Sequence, residues 1–233
     1  DAGDEGEEDE HGGGGEDLPN VPCRIFLPVV PAARVIGKGG ASIKAIRDQS
    51  GAVVKILQKE LPPEMQRRED RVAVLEGSQE QVSEAIYGVL ERVFDRSGLP
   101  EAAAGRSRDR AHIVEVLVPE RSGAHLIGQR GERIKALIEE TGCDLHVVKE
   151  PMAGLADHKR VRVTGSSSDE VAGAVCRVQE VLAELVAGGV LRLEHFELRE
   201  SLLSNGGGAG GRSFGGLGGG GGRGRGGERL PQG

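Results

Sequence analysis

The chain repeats itself. Residues 34–47, RVIGKGGASIKAIR, return at 125–138 as HLIGQRGERIKALI, an offset of 91 residues. The register runs without a gap from Pro22 to Gln58. Pro28 matches Pro119, Ala33 matches Ala124, and Ile36-Gly37 matches Ile127-Gly128. Gly40 matches Gly131, Ile43-Lys44-Ala45 matches Ile134-Lys135-Ala136, and Gly51 matches Gly142. Self-similarity at a domain-sized spacing settles the architecture before any element is assigned: two copies of one folding unit.

Each unit reads the same way. Cys23, Ile25 and Leu27 alternate, as do Val114, Val116 and Val118, which is strand periodicity. A proline and small residues lead into a short helix ending at Ile36 or Ile127. A glycine loop follows, then a second helix that buries Ile43 and Ile46, or Ile134 and Leu137, and stops at the C-cap glycine Gly51 or Gly142. Next come a β-branched strand (AVVKI or CDLHVV), a polar loop, another strand (RVAVLEG or RVRVTG) and a long helix. That helix carries Val82, Ala85, Ile86, Val89 and Val93, or Val171, Ala174, Val175, Val178 and Leu182, on one face. The expectation is an α+β fold: each unit β-α-α-β-β-α, a three-stranded antiparallel sheet packed on three helices.

Segment boundaries follow from composition. Residues 1–20 form an acidic, glycine-rich tail, 21–95 the first unit, 96–110 a polar flexible linker and 111–188 the second unit. Residues 189–204 fit either a helix extension or a strand, and 205–233 form a Gly/Arg-rich tail containing GRGRGG. Nine acidic residues lie in 1–17 without a Lys or Arg, so the net charge of −7 leaves the remainder at +2. An acidic chain average therefore does not exclude a polyanionic partner.

The loop GKGG and its copy GQRG present bare backbone between two helices. Glycine takes positive φ and has no side chain to hold a ligand away. The helix that starts at the loop offers free N–H groups and the positive end of its dipole, which favours an anion. Lys38 and Arg130 add a cation, and Val35-Ile36 or Leu126-Ile127 add apolar surface beside it. A phosphate next to an apolar floor suits a nucleotide.

VIGKGGASIKAI, with its copy LIGQRGERIKAL, resembles the signature of the KH (K-homology) domain, a module whose Gly-x-x-Gly loop clamps four backbone nucleotides. The resemblance covers about 22–94 and 112–187. The strand and long helix after the core resemble the eukaryotic type I arrangement, and GKGGASIKAIRDQSGA is closest to the poly(C)-binding protein and hnRNP K class. The resemblance implies nucleic-acid contacts from Arg34, Val35, Ile36, Gly37, Lys38, Gly39, Gly40, Lys44, Val54, Ile56 and Arg71. In the second unit it implies His125, Leu126, Ile127, Gly128, Gln129, Arg130, Gly131, Lys135, Leu145, Val147 and Arg160. Poly(C)-binding relatives carry an arginine on the strand after the second helix, where this chain has Val53 and Asp144. The resemblance thus extends to single-strand binding and not to strict cytosine selectivity.

The implied function is binding of single-stranded RNA, or ssDNA, in mRNA regulation or processing, in the nucleus, the cytoplasm or both. The expected protein is not an enzyme, with no cofactor, metal, membrane span or small-molecule substrate. Protein partners would meet the KH surfaces or the glycine-rich tail. The alternative is a protein-interaction scaffold whose second unit, less basic through Gln129 and Asp144, has lost RNA binding. Aromatic residues are 2% of the chain, too few for a surface that stacks bases on rings. Cys23, Cys143 and Cys176 are odd in number and form no CxxC, which reads as a reducing compartment. The second unit's histidines lack zinc-ligand spacing, and no nucleophile, P-loop or dinucleotide motif occurs.

Overall fold

The computed structural model describes residues 18–95, 111–152 and 154–198. The first copy runs β1 (Cys23–Leu27), α1 (Val29–Ile36), α2 (Ala41–Ser50), β2 (Val53–Leu57), α3 (Pro63–Arg67), β3 (Arg71–Glu76) and α4 (Gln79–Phe94). The second runs β4 (His112–Pro119), α5 (Ser122–Ile127), α6 (Glu132–Thr141), β5 (Asp144–Val147), β6 (His158–Gly165) and α7 (Ser168–Ala187). Both follow β-α-α-β-β-α, and α3 is an added turn within the polar loop of the first copy.

The boundaries have local causes. Ser78 caps α4 through its hydroxyl to the Gln81 N–H at 3.3 Å, and the Gln81 side chain accepts from the Ser78 N–H at 3.0 Å, a closed capping box. Ser167 accepts from the Glu170 N–H at the start of α7. α2 and α6 both end on a left-handed glycine: the Gly51 and Gly142 N–H groups donate to Arg47 O and Ile138 O, each at 2.9 Å.

The six strands form one antiparallel sheet in the order β2-β3-β1-β4-β6-β5. Each copy contributes three adjacent strands, and the two sets join edge to edge through β1 and β4. That seam has two register pairs, Ile25↔Val116 and Phe26↔Glu115. It is reinforced by α4 packing along α7, where Ser83 Oγ lies 3.2 Å from Cys176 Sγ, and by Gln179 Nε2 donating to Val21 O at 3.3 Å. On the other face Gly154, in the second copy's loop, lies against Pro62 and Glu64 of the first. A Cβ on Gly154 would come within 2.4 Å of Pro62.

Alternation along the strands makes two cores. Cys23, Ile25, Leu27, Ala73, Leu75, Val114, Val116, Val118, Val161 and Val163 point to the helices and are fully buried with Ile46, Ile86, Val89, Val175, Val178 and Leu182. Each Val, Leu or Ile among them contributes about 1.5–3 kcal/mol on burial. The opposite face carries a smaller cluster of Leu61, Met65, Val72, Val74, Leu117 and Leu155. After α7 the chain turns at Gly188-Gly189, and Leu193–Phe196 is a single 3-10 turn. Within the described part of 189–204, up to residue 198, the chain is therefore neither a helix extension nor a strand. Phe196 is buried, and the Arg24 guanidinium carbon stands 5.8 Å from its ring centre. Residues 1–17 of the first tail, the whole linker 96–110 and the tail 205–233 lie outside the described residues.

Candidate nucleic-acid interface

The site starts at Gly37. α1 closes there, with the Gly37 N–H on Ala33 O at 2.9 Å, and the backbone enters the left-handed half of conformational space (φ 72°). A Cβ at this position would fall 2.6 Å from Ser42 Cβ and 2.9 Å from Ser42 N. Only glycine lets the first turn of α2 pack so tightly under the loop. Gly128 repeats this, with φ 74° and a Cβ that would meet Arg133 Cβ at 2.7 Å. The loops are otherwise nearly identical: Gly40 N–H bonds Gly37 O at 3.2 Å, and Gly131 N–H bonds Gly128 O at 3.3 Å.

The third loop position separates them. Gly39 has φ 62°, and Arg130 holds φ 51°. A side chain there carries a strain of about 1–2 kcal/mol, so the second copy keeps its cation on a disfavoured backbone. No side chain caps α2 or α6, since both begin at a glycine. Their first N–H groups are the anion-attracting feature of each loop.

Lys38, Lys44, Gln129, Arg130, Lys135 and His125 are all exposed around the two loops. Arg34 is half-buried and donates to Val93 O at 3.3 Å, on the last turn of α4. The apolar floor is smaller than the sequence suggests. Val35, Leu126, Val54, Leu145 and Val147 are 0, 2, 0, 5 and 8% exposed. They shape the grooves from behind as core residues. Ile36 and Ile127, at 37 and 38%, and the half-buried Ile56 carry the accessible apolar surface.

One assignment is corrected. The sequence comparison equates Arg71 with Arg160, but strand register does not. Arg71 lies opposite Leu27, and the residue opposite the matching Val118 is Lys159. The second polar loop is three residues shorter than the first, which sets the offset to 88 on these strands. A one-residue slip sends a side chain to the other face. Arg160 accordingly points away from the helices and the glycine loop, and pairs with Glu115 at 3.2 Å beside Arg162, which pairs with the same carboxylate at 2.8 Å. Arg71 is the first residue of β3, with its guanidinium on the Glu69 and Asp70 carbonyls at 2.7 and 3.0 Å. Lys159 pairs with Glu120 at 3.3 Å.

Two residues escaped sequence reasoning. Arg47, in the last turns of α2, donates through Nε to Val54 O at 2.8 Å and through its terminal nitrogen to the same oxygen. It ties α2 to the edge strand β2 and puts a cation across the mouth of the first groove. The matching residue is Ile138, so the second groove has no such tie. Glu132 is the first residue of α6, where α2 has Ala41. A carboxylate there stabilises its own helix and repels a phosphate at the loop. The signal was available: an acidic residue directly after the second loop and none after the first.

A β-α-α-β-β-α unit with a Gly-x-x-Gly turn between its first two helices defines a backbone-clamping nucleic-acid module, and this chain holds two. A family model for the KH domain matches residues 22–91 and 113–180, and the chain belongs to that family. Among curated proteins it is similar to RNA-binding protein Pasilla of Drosophila melanogaster, 21% identical over 180 residues, covering 75% of this chain and 23% of Pasilla. RNA-binding protein Nova-2 of Homo sapiens is 24% identical over 174 residues, covering 69% of this chain and 34% of Nova-2. The RNA-binding KH domain-containing protein PEPPER of Arabidopsis thaliana is 28% identical over 154 residues, with coverages of 62% and 30%. The chain therefore spans only 23 to 34% of the length of these relatives. KH domains are non-catalytic binders of nucleic acid. Among the described residues no helix is long and apolar enough to cross a membrane, and no cluster of potential metal ligands occurs.

Proposed function

We propose that the chain binds single-stranded RNA through both glycine loops, with the first groove the stronger site, in the regulation or processing of mRNA in the nucleus, the cytoplasm or both. The observation that carries this is the pairing, in each copy, of an uncapped helix start behind a Gly-x-x-Gly turn with an exposed isoleucine beside it. Phosphates meet the N–H groups and Lys38 or Arg130, and a base lies over Ile36 or Ile127. The names of Pasilla, Nova-2 and PEPPER, each described as RNA-binding, support the choice of RNA. Lys38, Arg47 and the absence of an acid at the start of α2 rank the first groove above the second, which has Gln129 and Glu132.

The test places acidic pairs in the loops: Lys38→Asp with Gly39→Asp, and Gln129→Asp with Arg130→Asp. Affinity for a random pool of short RNA and DNA oligonucleotides is measured beside the CD spectrum. The first pair lowers RNA affinity at least about tenfold with an unchanged fold, and the second lowers it less. Unchanged affinity in both variants rejects the reading, and preference for the DNA pool redirects it. Glu132 favours a second reading for the second copy, a protein-docking KH surface. It gains if the second acidic pair has no effect on RNA while the first abolishes binding.

A further inference from the structure

The sheet fixes how two bound RNA segments are arranged. Ile25 and Val116 face each other across the seam, and they are the same position in the two copies, 91 residues apart. Both copies keep their helices on one face of the sheet. Two like units joined by antiparallel neighbouring strands, with faces preserved, are related by a two-fold axis normal to the sheet. That axis passes through the Ile25–Val116 pair. The groove-side strands β2 and β5 then lie at opposite ends of the strand order, each contacted by the helix, α2 or α6, that starts at its unit's glycine loop.

We infer that the chain selects RNAs in which two short elements are separated by a spacer long enough to cross the sheet, in either order. This rests on both grooves binding RNA as proposed above. Each groove holds RNA with the same polarity relative to its own unit, so the two segments run in opposite directions. A strand leaving the 3′ end of one groove finds the 5′ end of the other across the same end of the sheet. The two-fold axis makes the return path equivalent, so either element can come first. Five strand spacings separate β2 from β5, about 24 Å, which is on the order of seven nucleotides at the roughly 3.4 Å spacing of a stacked strand. The seam also removes the freedom that a tether alone would give. Strand pairing, the α4–α7 contact and the seating of Gly154 on Pro62 hold the halves as one body.

The probes are RNA oligonucleotides with two tetranucleotide blocks joined by stacked oligoadenylate spacers of ~2 to ~12 units, where the span above puts the threshold near seven. The blocks are chosen from a random tetranucleotide pool by selection on the two loop variants, each of which leaves one groove intact. Single-block probes report on the RNA reading itself: no binding, or binding indifferent to the loop variants, overturns that reading and this one with it. With single-block binding in place, the inference expects short-spacer probes to match single blocks. Affinity should rise tenfold or more, toward the ~100-fold of linked modules, once the spacer reaches about seven units. The gain should be the same for both block orders and absent in either loop variant. A gain already full at the shortest spacers, a gain confined to one order, or no gain at any spacer overturns the arrangement and leaves single-groove binding standing.

Discussion

Ile25 and Val116, equivalent positions of the two copies, stand directly opposite each other in the antiparallel register at the centre of a single six-stranded sheet. The repeat has folded onto itself. Each copy supplies the other with strand pairs on one edge and an apolar helix face, α4 against α7. Thermal or urea unfolding is therefore expected to be one cooperative transition for both copies. The check is to follow Tyr87, in the first copy, beside backbone CD; two separated midpoints would show that the seam is weak.

The loops predict opposite responses to similar changes. Gly37→Ala places a Cβ 2.6 Å from Ser42 Cβ at φ 72° and is expected to cost roughly 1–3 kcal/mol. Gly39→Ala meets no atom within 4 Å at φ 62°, so only the backbone preference is lost, about 1 kcal/mol. Arg130→Gly removes the strain at φ 51° and should stabilise the fold by about 1 kcal/mol while weakening the second groove. Urea midpoints give the stabilities, and single-block RNA binding gives the trade.

Glu132→Ala should act in the contrary sense. Losing an acid from the first turn of α6 costs about 0.3–1 kcal/mol of helix stabilisation. Removing its repulsion should raise the affinity of the second groove several-fold in low salt, with the gain fading as screening shortens. Titration of the Lys38→Asp/Gly39→Asp background isolates that groove.

Salt reports on phosphate contacts directly. For single strands the slope of log K against log salt is about −0.7 per neutralised phosphate. Lys38→Ala should flatten the slope by about 0.7 if Lys38 holds one phosphate. An affinity loss with an unchanged slope would assign Lys38 another role.

His158 sets an acid limit. It is 2% exposed on the sheet face away from the glycine loops. Burial, then the neighbouring Arg24, lowers its pKa to about 4, with Asp157 opposing. The unfolded chain binds this proton near pH 6.5 and the folded one near 4, so stability is fully present above 6.5 and falls as pH drops through that window. The slope is up to about 1.4 kcal/mol per pH unit. In His158→Leu the urea-derived stability between pH 6.5 and 4 should lose a one-proton slope relative to the parent.

Much of each copy was legible because its signals are local. Gly37, Gly51, Gly128 and Gly142 punctuate the helices, and period-2 and period-3.6 patterns mark the rest. The misplacement of Arg160 has a physical origin: loops of different length reset the register, and alternation then decides the face. Val35, Val54, Leu126, Leu145 and Val147 belong to the family's groove pattern, yet they are buried in the core between helices and sheet. Arg47 was passed over because its partner is a backbone oxygen, which leaves no mark in the sequence. The seam was invisible for the same reason, since backbone pairing between β1 and β4 needs no particular side chains. A flexible linker was expected at 96–110, which lies outside the described residues. The described halves on either side of it are joined through the sheet.

The placement of β2 and β5 at the two ends of the sheet limits how this architecture can grow. The seam edge of each unit is consumed by its twin, and the remaining edge adjoins a groove. A third copy could not be added by strand pairing without covering one of them. The paired unit is thus closed to further strand pairing, and any added unit would have to be carried on connecting chain or on another surface.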